Sequence, residues 1–377
     1  MMQKRIIKVN TNLYWCSNCL SMSTRPRISF DKNVICNACI WNKKKQTIDW
    51  KKRRKQLENV LKEIKKNKTG DFDCIVPVSG GKDGSYVCYK LINEFNIKPL
   101  AVSINPPLRT ELGRKNLENF SNQKINLITL DLDYEIMKKM NLYGFKFMGM
   151  PYFGWLIAVM TAPLRIAKAF NINLLFYGED GEIEYGGLSE TKHSPFYTID
   201  YQKKIYLENG YDKIIKKLNN KNDYFFKYPK KKEDYNKIKL THWSYFENWD
   251  PYRNYIIAKK FFGLQENKVN NVGTFTNFAQ NDQLLYPLHT YLMYLKFGFG
   301  RANQDACIEI RRGAMDRKQG INLVKLYDNQ YPSDLVPIYL DYYGITKKEF
   351  DDTLDKFANK KLFKKIKGFW KPKFDIK

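Results

Sequence analysis

The sequence predicts an α/β protein whose parallel sheet is covered by helices on both faces. Between residues 74 and 180, short apolar runs alternate with amphipathic stretches, as in strands joined by crossover helices. Four cysteines in two CxxC pairs precede this region, and a mostly helical region follows it. We therefore divide the chain into a metal module (1–48), a linker helix (49–70), an α/β domain (71–235) and a helical region that completes a substrate site (236–377).

The metal module is predicted from the spacing of Cys16, Cys19, Cys36 and Cys39. Two residues between thiolates let both sulfurs face one ion, and the loop between the pairs returns the chain, so four sulfurs can surround a tetrahedral Zn²⁺. Because four thiolates leave no open coordination position, we interpret this zinc as structural. The alternatives are an iron–sulfur cluster, or two unrelated pairs that are free or disulfide-linked.

The elements that follow are read from periodicity. Residues 49–70 carry their apolar side chains on one stripe and are interpreted as a solvated linker helix. Strands are predicted at 74–78, 99–104, 125–132 and 172–180, and helices at 83–95, 109–123 and 153–170. Residues 345–370 are interpreted as a packed helix and a solvated tail. Since ligands bind at the carboxyl ends of parallel strands, the segments after the first and fourth strands are the candidate site.

The segment after the first strand reads SGGKDGS. It is neither a GxxxxGK[ST] loop nor a GxGxxG fingerprint. Adjacent glycines let backbone amides approach oxygens closely, and the helix that begins here adds the positive end of its dipole. An ordinary capped turn is the alternative to a phosphate site. The predicted nucleotide-binding residues are Ser79, Gly80, Gly81, Lys82, Asp83, Gly84 and Ser85.

The segment after the fourth strand, GEDGEIEYGG at 178–187, is the richest acidic cluster. Glu179 and Asp180 end the strand and join Lys82 and Asp83 as the predicted catalytic residues. Asp83 and Asp180 are the predicted Mg²⁺ ligands, because this ion prefers carboxylate oxygens. A polar loop with helix-capping acids is the alternative. The predicted substrate-binding residues are Glu182, Glu184, His193, Asn281 and Arg301.

SGGKDGS resembles the pyrophosphate loop, SGGxDS, of the ATP pyrophosphatases, although Gly84 stands where the usual serine follows the aspartate. The paired cysteines, FYGEDGEIEYGG, and residues 243–263 and 273–317 extend the resemblance over nearly the whole chain. They are similar to the N-acetyl sugar amidotransferases of this PP-loop superfamily. The resemblance implies an adenine nucleotide alpha hydrolase-like fold, with ATP as co-substrate, Mg²⁺, and structural zinc.

Family members resembling this chain convert an acetamido group of a bacterial surface sugar to an acetamidino group. The resemblance implies that the amide oxygen is adenylated, that pyrophosphate leaves, and that ammonia then displaces AMP. The sugar would be a nonulosonic acid or a nucleotide-linked diacetamido sugar. The resemblance also implies a separate glutaminase and a companion cyclase-like subunit, similar to the subunits of imidazole glycerol phosphate synthase, as the ammonia supply.

The formal net charge of +26 suits an anionic partner. A tRNA-thiolating enzyme, which also pairs a zinc module with a pyrophosphate loop, is therefore the main alternative. Such enzymes typically need further cysteines near the loop, whereas Cys74, Cys88 and Cys307 are isolated, so nucleic acid is not the expected partner. A non-catalytic nucleotide-binding adaptor is the second alternative. The N-terminus lacks the apolar core of a signal peptide, and no stretch is long enough to span a bilayer, so we expect a cytoplasmic protein.

Overall fold

The computed structural model describes residues 13–188, 190–218, 223–229 and 237–376. The helices are α1 Asn37–Lys45, α2 Trp50–Lys66, α3 Lys82–Phe95, α4 Glu111–Ser121, α5 Tyr134–Met148, α6 Phe153–Ala169, α7 Gly181–Tyr185, α8 Ile199–Tyr201, α9 Tyr211–Leu218, α10 Pro251–Phe262, α11 Leu285–Phe297, α12 Arg301–Arg311, α13 Arg317–Tyr327, α14 Val336–Tyr343 and α15 Lys347–Phe357. The strands are β1 Cys74–Pro77, β2 Pro99–Ile104, β3 Asn126–Leu130, β4 Leu174–Tyr177, β5 Phe196–Tyr197, β6 Lys239–His242, β7 Phe363–Ile366 and β8 Phe369–Pro372. The N-terminal residues used to argue against a signal peptide (1–12), and the predicted boundary at 235/236, lie outside the described residues.

Six strands form one sheet in the order β3-β2-β1-β4-β6-β5. All neighbouring strands are parallel except β5, which pairs antiparallel with β6 at the edge. The chain places β2 and β3 on one side of β1 and β4 on the other side. The strand order therefore reverses between β1 and β4, and ligand crevices in open α/β sheets form at such a reversal.

Helices cover both faces of this sheet, as predicted. Along β1, Ile75 packs with α5 and α6, whereas Cys74 and Val76 pack on the opposite face with α3, α4 and α10. This alternation follows from the two-residue period of a strand. Both sides of β1 are buried, which explains why the strand reads as a continuous apolar run.

The prediction of a solvated linker helix at 49–70 is wrong. Leu57 and Leu61 of α2 are buried in the same core as Val76. Lys239 of β6 also forms an ion pair with Glu63 of α2 at 2.9 Å. The apolar stripe of α2 is therefore a packing surface, and α2 is part of the α/β body.

The sequence reading did not identify α5, β5 or β6. The sequence of β6, KLTH, mixes polar and apolar residues and lacks the apolar run that marks the other central strands. Its Thr241 is nevertheless buried, because the hydroxyl donates a hydrogen bond to Pro195 O at 2.5 Å. A satisfied polar side chain thus stands where an apolar one was expected.

The C-terminal region is mostly helical, as predicted, and α11, α14 and α15 enclose a core around Tyr339 and Phe350. The tail after the last helix is largely exposed, as predicted, but it folds into a defined element. Residues 363–372 form the β7–β8 hairpin. Phe363 is buried against Tyr294, with ring centroids 4.9 Å apart. Across the described residues, no helix combines the length and apolar character needed to cross a membrane.

Candidate functional site

The glycine loop connects β1 to α3 beside the point where the strand order reverses. Gly80 has a φ of +77°, and a Cβ added there would lie 2.5 Å from Leu117 N in α4. Gly81 begins α3 with extended backbone, and no side chain caps the helix. The N–H groups at the start of α3 therefore receive no side-chain cap. Such helix starts bind anions through their N–H groups and dipole.

Lys82 and Asp83 occupy the first turn of α3 and form an ion pair. Asn254 Nδ2 of α10 donates a hydrogen bond to Asp83 Oδ1 at 3.3 Å. Gly178, after β4, allows close approach, because a Cβ there would lie 3.2 Å from Asp83 Cβ. The loops after β1 and β4 therefore meet at one place.

Glu179 follows Gly178 and faces the same space as Asp83. Burial and the nearby Asp83 charge raise the pKa of Glu179, whereas Lys82 lowers it. Tyr185 OH donates a hydrogen bond to Glu179 Oε1 at 3.2 Å. Two carboxylates that face one space are a typical binding site for a divalent cation.

A cleft of about 340 Å³ opens over these residues. One side is formed by the ends of β1 and β4 and the start of α3, and the other side by residues 278–286 and Arg301. Its volume falls at the lower end of the range for small-molecule sites. The lining residues are Pro77, Val78, Ser79, Gly81, Lys82, Asp83, Gly84, Val102, Ile104, Gly113, Asn116, Trp155, Val159, Tyr177, Gly178, Glu179, Tyr185, Leu264, Phe278, Ala279, Gln280, Asn281, Asp282, Tyr286 and Arg301.

The C-terminal wall of the cleft is fixed to α4. Thr110 N donates a hydrogen bond to Asp282 O at 3.0 Å. Gly113 lets the backbone of α4 contact the backbone of Asp282, since a Cβ at position 113 would lie 2.5 Å from Asp282 Cα. Asn281 Oδ1 accepts a hydrogen bond from Asn271 Nδ2 at 2.7 Å. The wall is therefore a rigid part of the α/β body.

Arg301 begins α12 and contributes positive charge to this wall. Its Nε donates to Asp305 Oδ1 at 2.8 Å. Burial lowers the pKa of Arg301, but the Asp305 carboxylate, Tyr185 and Glu179 together raise it above its usual value. Two of the predicted substrate-binding residues, Asn281 and Arg301, thus line the same cleft as the glycine loop.

Asp180 has a different environment from its neighbour Glu179 and does not line this cleft. Its Oδ1 caps α7 by accepting from Glu182 N at 3.1 Å, and it accepts from Tyr206 OH at 3.3 Å. Thr191 donates to the other carboxylate oxygen. This buried carboxylate is satisfied by protein donors, so the prediction of Asp180 as a magnesium ligand does not match its surroundings.

Glu182 and Glu184 are also turned away from the cleft, and they attach the metal module to α7. Arg27 holds Glu182 through two hydrogen bonds, from Nη2 at 2.7 Å and from Nε at 2.8 Å. Glu184 accepts from Trp41 Nε1 at 3.0 Å and pairs with Lys45 Nζ at 2.8 Å. The alternative of structural acids fits both residues better than substrate contact.

His193 and Ser85 complete the predicted residues. His193 is exposed in a short 3₁₀ turn and does not line the cleft. Ser85 lies inside α3, where its Oγ is fully buried and without a hydrogen-bond partner. Gly84 does line the cleft, and a Cβ there would lie 2.9 Å from Pro77 O. A serine at position 84 would therefore meet the end of β1.

The Arg27–Glu182 pair supports a first prediction. Replacing Arg27 by Met leaves the buried Glu182 carboxylate without its two guanidinium donors. We expect the free energy of unfolding to fall by roughly 2 kcal/mol. This is less than the about 3–5 kcal/mol for breaking a fully buried ion pair, because Arg27 is partly exposed. Chemical denaturation measures this change. Arg114→Met, in an exposed ion pair with Glu111, is the matched control, and equal effects of the two substitutions would contradict the assignment.

The four predicted metal ligands lie together. Cys16, Cys19, Cys36 and Cys39 are all buried, and their sulfurs lie within 4.8 Å of one another. A tetrahedral site with Zn–S bonds of about 2.3 Å requires sulfur–sulfur distances of about 3.8 Å. The Cys16–Cys39 and Cys19–Cys36 distances are 3.8 and 3.7 Å. The donor set therefore fits a zinc ion.

Donors around the sulfurs suit thiolates. Cys36 N donates to Cys16 Sγ at 3.2 Å and Ser21 N donates to Cys19 Sγ at 3.3 Å. Arg311 places Nη1 3.7 Å from Cys19 Sγ and donates from Nη2 to Glu184 O at 3.2 Å. Backbone N–H donors and a nearby cation stabilise thiolate ligands. Arg311 thus connects the sulfur cluster to α7.

Several residues of the site were missed from the sequence. Asn254 and Tyr185 contact the two cleft carboxylates, and Trp155, Asp282 and Tyr286 line the cleft. Asp282 directly follows Asn281, which was predicted to bind substrate. The aromatic residues could not be identified as site residues from the sequence, because tyrosine and tryptophan at helical spacing are typical of a hydrophobic core.

Comparisons with known proteins give two partial matches to the chain. Residues 272–375 match the family model described as "LPS biosynthesis protein WbpG-like, C-terminal domain". This segment includes Asn281, Asp282 and Arg301, which form the C-terminal wall of the cleft. The match supports a role in the biosynthesis of surface sugars.

A curated relative adds a partial likeness. An uncharacterized protein of Methanocaldococcus jannaschii is 31% identical over 122 residues, which is 32% of this chain. The matched segment spans 43% of the relative's own length. The relative's description names no activity.

Proposed function

We propose that the protein is an ATP-dependent amidotransferase synthetase that converts an acetamido group of a bacterial surface sugar into an acetamidino group. The observation that carries this proposal is the cleft itself. An uncapped glycine loop with Lys82 and Asp83 forms one side, and the segment that matches an LPS biosynthesis family forms the other. A phosphate cradle and a polyol-binding wall in one cleft would bring ATP and a sugar together.

The glycine loop would hold the β and γ phosphates of ATP. Gly80 and Gly81 bring the backbone close, the start of α3 supplies N–H donors, and Lys82 neutralises charge. Asp83 and Glu179 offer the oxygen ligands that suit Mg²⁺, and Asp180 is left out of this set because its oxygens are already bonded. Bound Mg²⁺ would neutralise phosphate charge as pyrophosphate leaves.

The proposed reaction has two displacements. The acetamido oxygen attacks the α phosphorus of ATP, the bond to the β-phosphate bridging oxygen breaks, and pyrophosphate leaves. Ammonia then adds to the imidate carbon, and the carbon–oxygen bond breaks, so that AMP carries away the former amide oxygen. The amidine retains a proton and leaves as an amidinium. Positioning and charge neutralisation suffice for both steps.

Ammonia would come from a separate subunit or from solution. Cys74, Cys88 and Cys307 are buried, and burial raises the pKa of each thiol, so none is poised as a glutaminase nucleophile. We propose a glutaminase partner with a companion cyclase-like subunit. None of the described cysteines lines the cleft, which disfavours tRNA thiolation, because that reaction needs thiols at the nucleotide.

The test incubates the purified protein with Mg²⁺–ATP and ammonium, and offers either diacetamido sugars or bulk tRNA. Chromatography follows AMP, and mass spectrometry follows the sugar. The proposal expects AMP with the sugar only, and a product in which NH replaces oxygen. AMP with tRNA only would establish the thiolation alternative. Nucleotide binding without turnover on any substrate, even with an added glutaminase, would favour the adaptor.

Two neighbouring acids give a second prediction. Asp83→Asn removes a cleft charge and should lower AMP formation by about 100-fold or more with the melting temperature unchanged. Asp180→Asn instead weakens the bonds that hold α7, and should lower the melting temperature. Thermal unfolding and AMP release on both variants check this contrast. Asp352→Asn, exposed on α15, serves as control, and wild-type turnover by Asp83→Asn would remove Asp83 from the site.

A further inference from the structure

One wall of the cleft carries a buried carboxylate oxygen, Asp282 Oδ2, that accepts no hydrogen bond from the described residues. Behind this wall, the side-chain polar atoms of Gln283 and His289 Nδ1 are also buried and have no hydrogen-bond partner in the described part of the chain. Leaving such an atom unpaired costs roughly 1–3 kcal/mol. Most buried polar groups in native proteins are paired, so several orphans in one place point to a missing ligand.

These groups are close together. Asp282 lines the cleft, Gln283 follows it in the chain, and Tyr286 lines the cleft one turn later. His289 packs on Tyr152, with ring centroids 4.8 Å apart, and Tyr152 lies 5.4 Å from the Tyr286 ring. Burial and the cations Lys296 and Arg301 lower the pKa of His289 to about 3. His289 is therefore neutral, and its orphan nitrogen adds hydrogen-bonding capacity without charge.

Aromatic rings frame the same wall. Trp155 and Tyr286 line the cleft with ring centroids 6.3 Å apart and planes at 88°. The indole N–H of Trp155 already donates to Ile104 O at 3.0 Å, so its ring is fixed. Rigid aromatic faces beside hydrogen-bonding acids and amides suit the apolar C–H faces and the polar edges of a pyranose.

The Asp282 side chain has no structural task that explains its position. Its backbone oxygen holds α4, but that contact needs no particular side chain. By contrast, the buried Asp328 accepts from Gly300 N at 2.7 Å and from Asn303 N at 3.0 Å. One buried aspartate is thus paired within the protein, whereas the other has an oxygen left over at the cleft.

We propose that Asp282, Trp155 and Tyr286 form the acceptor subsite, which binds an acetamido pyranose. Asp282 contacts a hydroxyl or amide N–H of the sugar, and the two rings pack against its C–H face. Arg301, on the same wall, favours a sugar that carries a carboxylate. This assignment deepens the proposed function and rests on it for the identity of the reaction, but it stands on its own as a binding site.

The test measures sugar binding directly. N-acetylneuraminic acid and N-acetylglucosamine serve as an acidic and a neutral probe in saturation-transfer NMR titrations. We expect both to bind, the acidic sugar more tightly, and Asp282→Asn to weaken each by about 10-fold or more with ATP affinity unchanged. Since Asp282 Oδ2 has no partner among the described residues, Asp282→Asn should not lower the melting temperature, whereas the control Asp328→Asn should. Tyr286→Leu should also weaken binding of both probes.

The outcomes separate the subsite from the reaction. Equal binding of the probes to wild type and Asp282→Asn, or no binding of either probe, would overturn the subsite. A loss of stability in Asp282→Asn with unchanged sugar binding would show a structural role instead. Sugar binding that depends on Asp282, together with no AMP formation from any sugar, would keep the subsite and refute the amidotransferase reaction.

Discussion

Gly80→Ala is expected to abolish nucleotide turnover. The alanine Cβ would lie 2.5 Å from Leu117 N and 2.7 Å from Leu117 Cα, which are backbone atoms of a packed helix that cannot yield. The φ of +77° adds a cost of about 1–2 kcal/mol for an L-residue. The loop or α4 must move, and a displacement of about 1 Å at reacting groups costs about 100-fold in rate. AMP release and ATP titration measure the loss.

Gly313→Ala is the matched control for this substitution. Gly313 has a φ of +78°, but an added Cβ would meet nothing within 4 Å. It should therefore show the backbone cost alone, about 1 kcal/mol of stability, and retain turnover. If Gly80→Ala behaved like Gly313→Ala, the close contact between the loop and α4 would not matter for the site.

Loss of zinc is expected to disable the cleft from a distance. Cys36→Ala removes one of four ligands, and zinc binding supplies much of the folding free energy of so small a module. Trp41, Lys45 and Arg27 of this module hold α7, and Tyr185 of α7 bonds Glu179 in the cleft. We expect the metal content to fall from one zinc per chain to near zero. AMP formation should fall with it.

Cys88→Ala controls for the loss of a buried thiol. Cys88 lies in the core beneath the sheet and outside the sulfur cluster, so this variant should keep its zinc and lose only packing energy. Elemental mass spectrometry on both variants provides the comparison. A Cys36→Ala protein with full metal content would exclude the four-sulfur site, and iron in place of zinc would show that the cluster holds a different metal.

Much of the α/β body was predictable because its signals are local. The strands that became β1, β2 and β4 are apolar runs, and burial on both faces requires such runs. The metal module was likewise predictable, because the spacing within each cysteine pair is a local sequence pattern. The edge strand β5 pairs with the mixed strand β6, which is distant in sequence, so no local pattern marks either of them. The hairpin is local, but its strands, FKKI and FWKP, contain no continuous apolar run.

The site was predictable up to the strand ends and not beyond them. In the sequence, Glu179, Asp180, Glu182 and Glu184 form one acidic cluster, because spacing does not show which way each side chain points. Only Glu179 faces the cleft, whereas the others cap α7 or attach the metal module. Arg27 and Trp41, which pair with these acids, lie far away in sequence. Residue spacing alone therefore could not distinguish the acids that attach the metal module from the acid that faces the cleft.

The most direct test of the proposed reaction follows one oxygen atom. Diacetamido sugars labelled with ¹⁸O in the acetyl carbonyl are incubated with the protein, Mg²⁺–ATP and ammonium, and the AMP is analysed by mass spectrometry. If the amide oxygen attacks the α phosphorus, each AMP formed carries one ¹⁸O and each product sugar has lost the ¹⁸O of the acetamido group that was converted. AMP without the label, formed while the sugar keeps its ¹⁸O, would contradict amide activation and the proposed function with it.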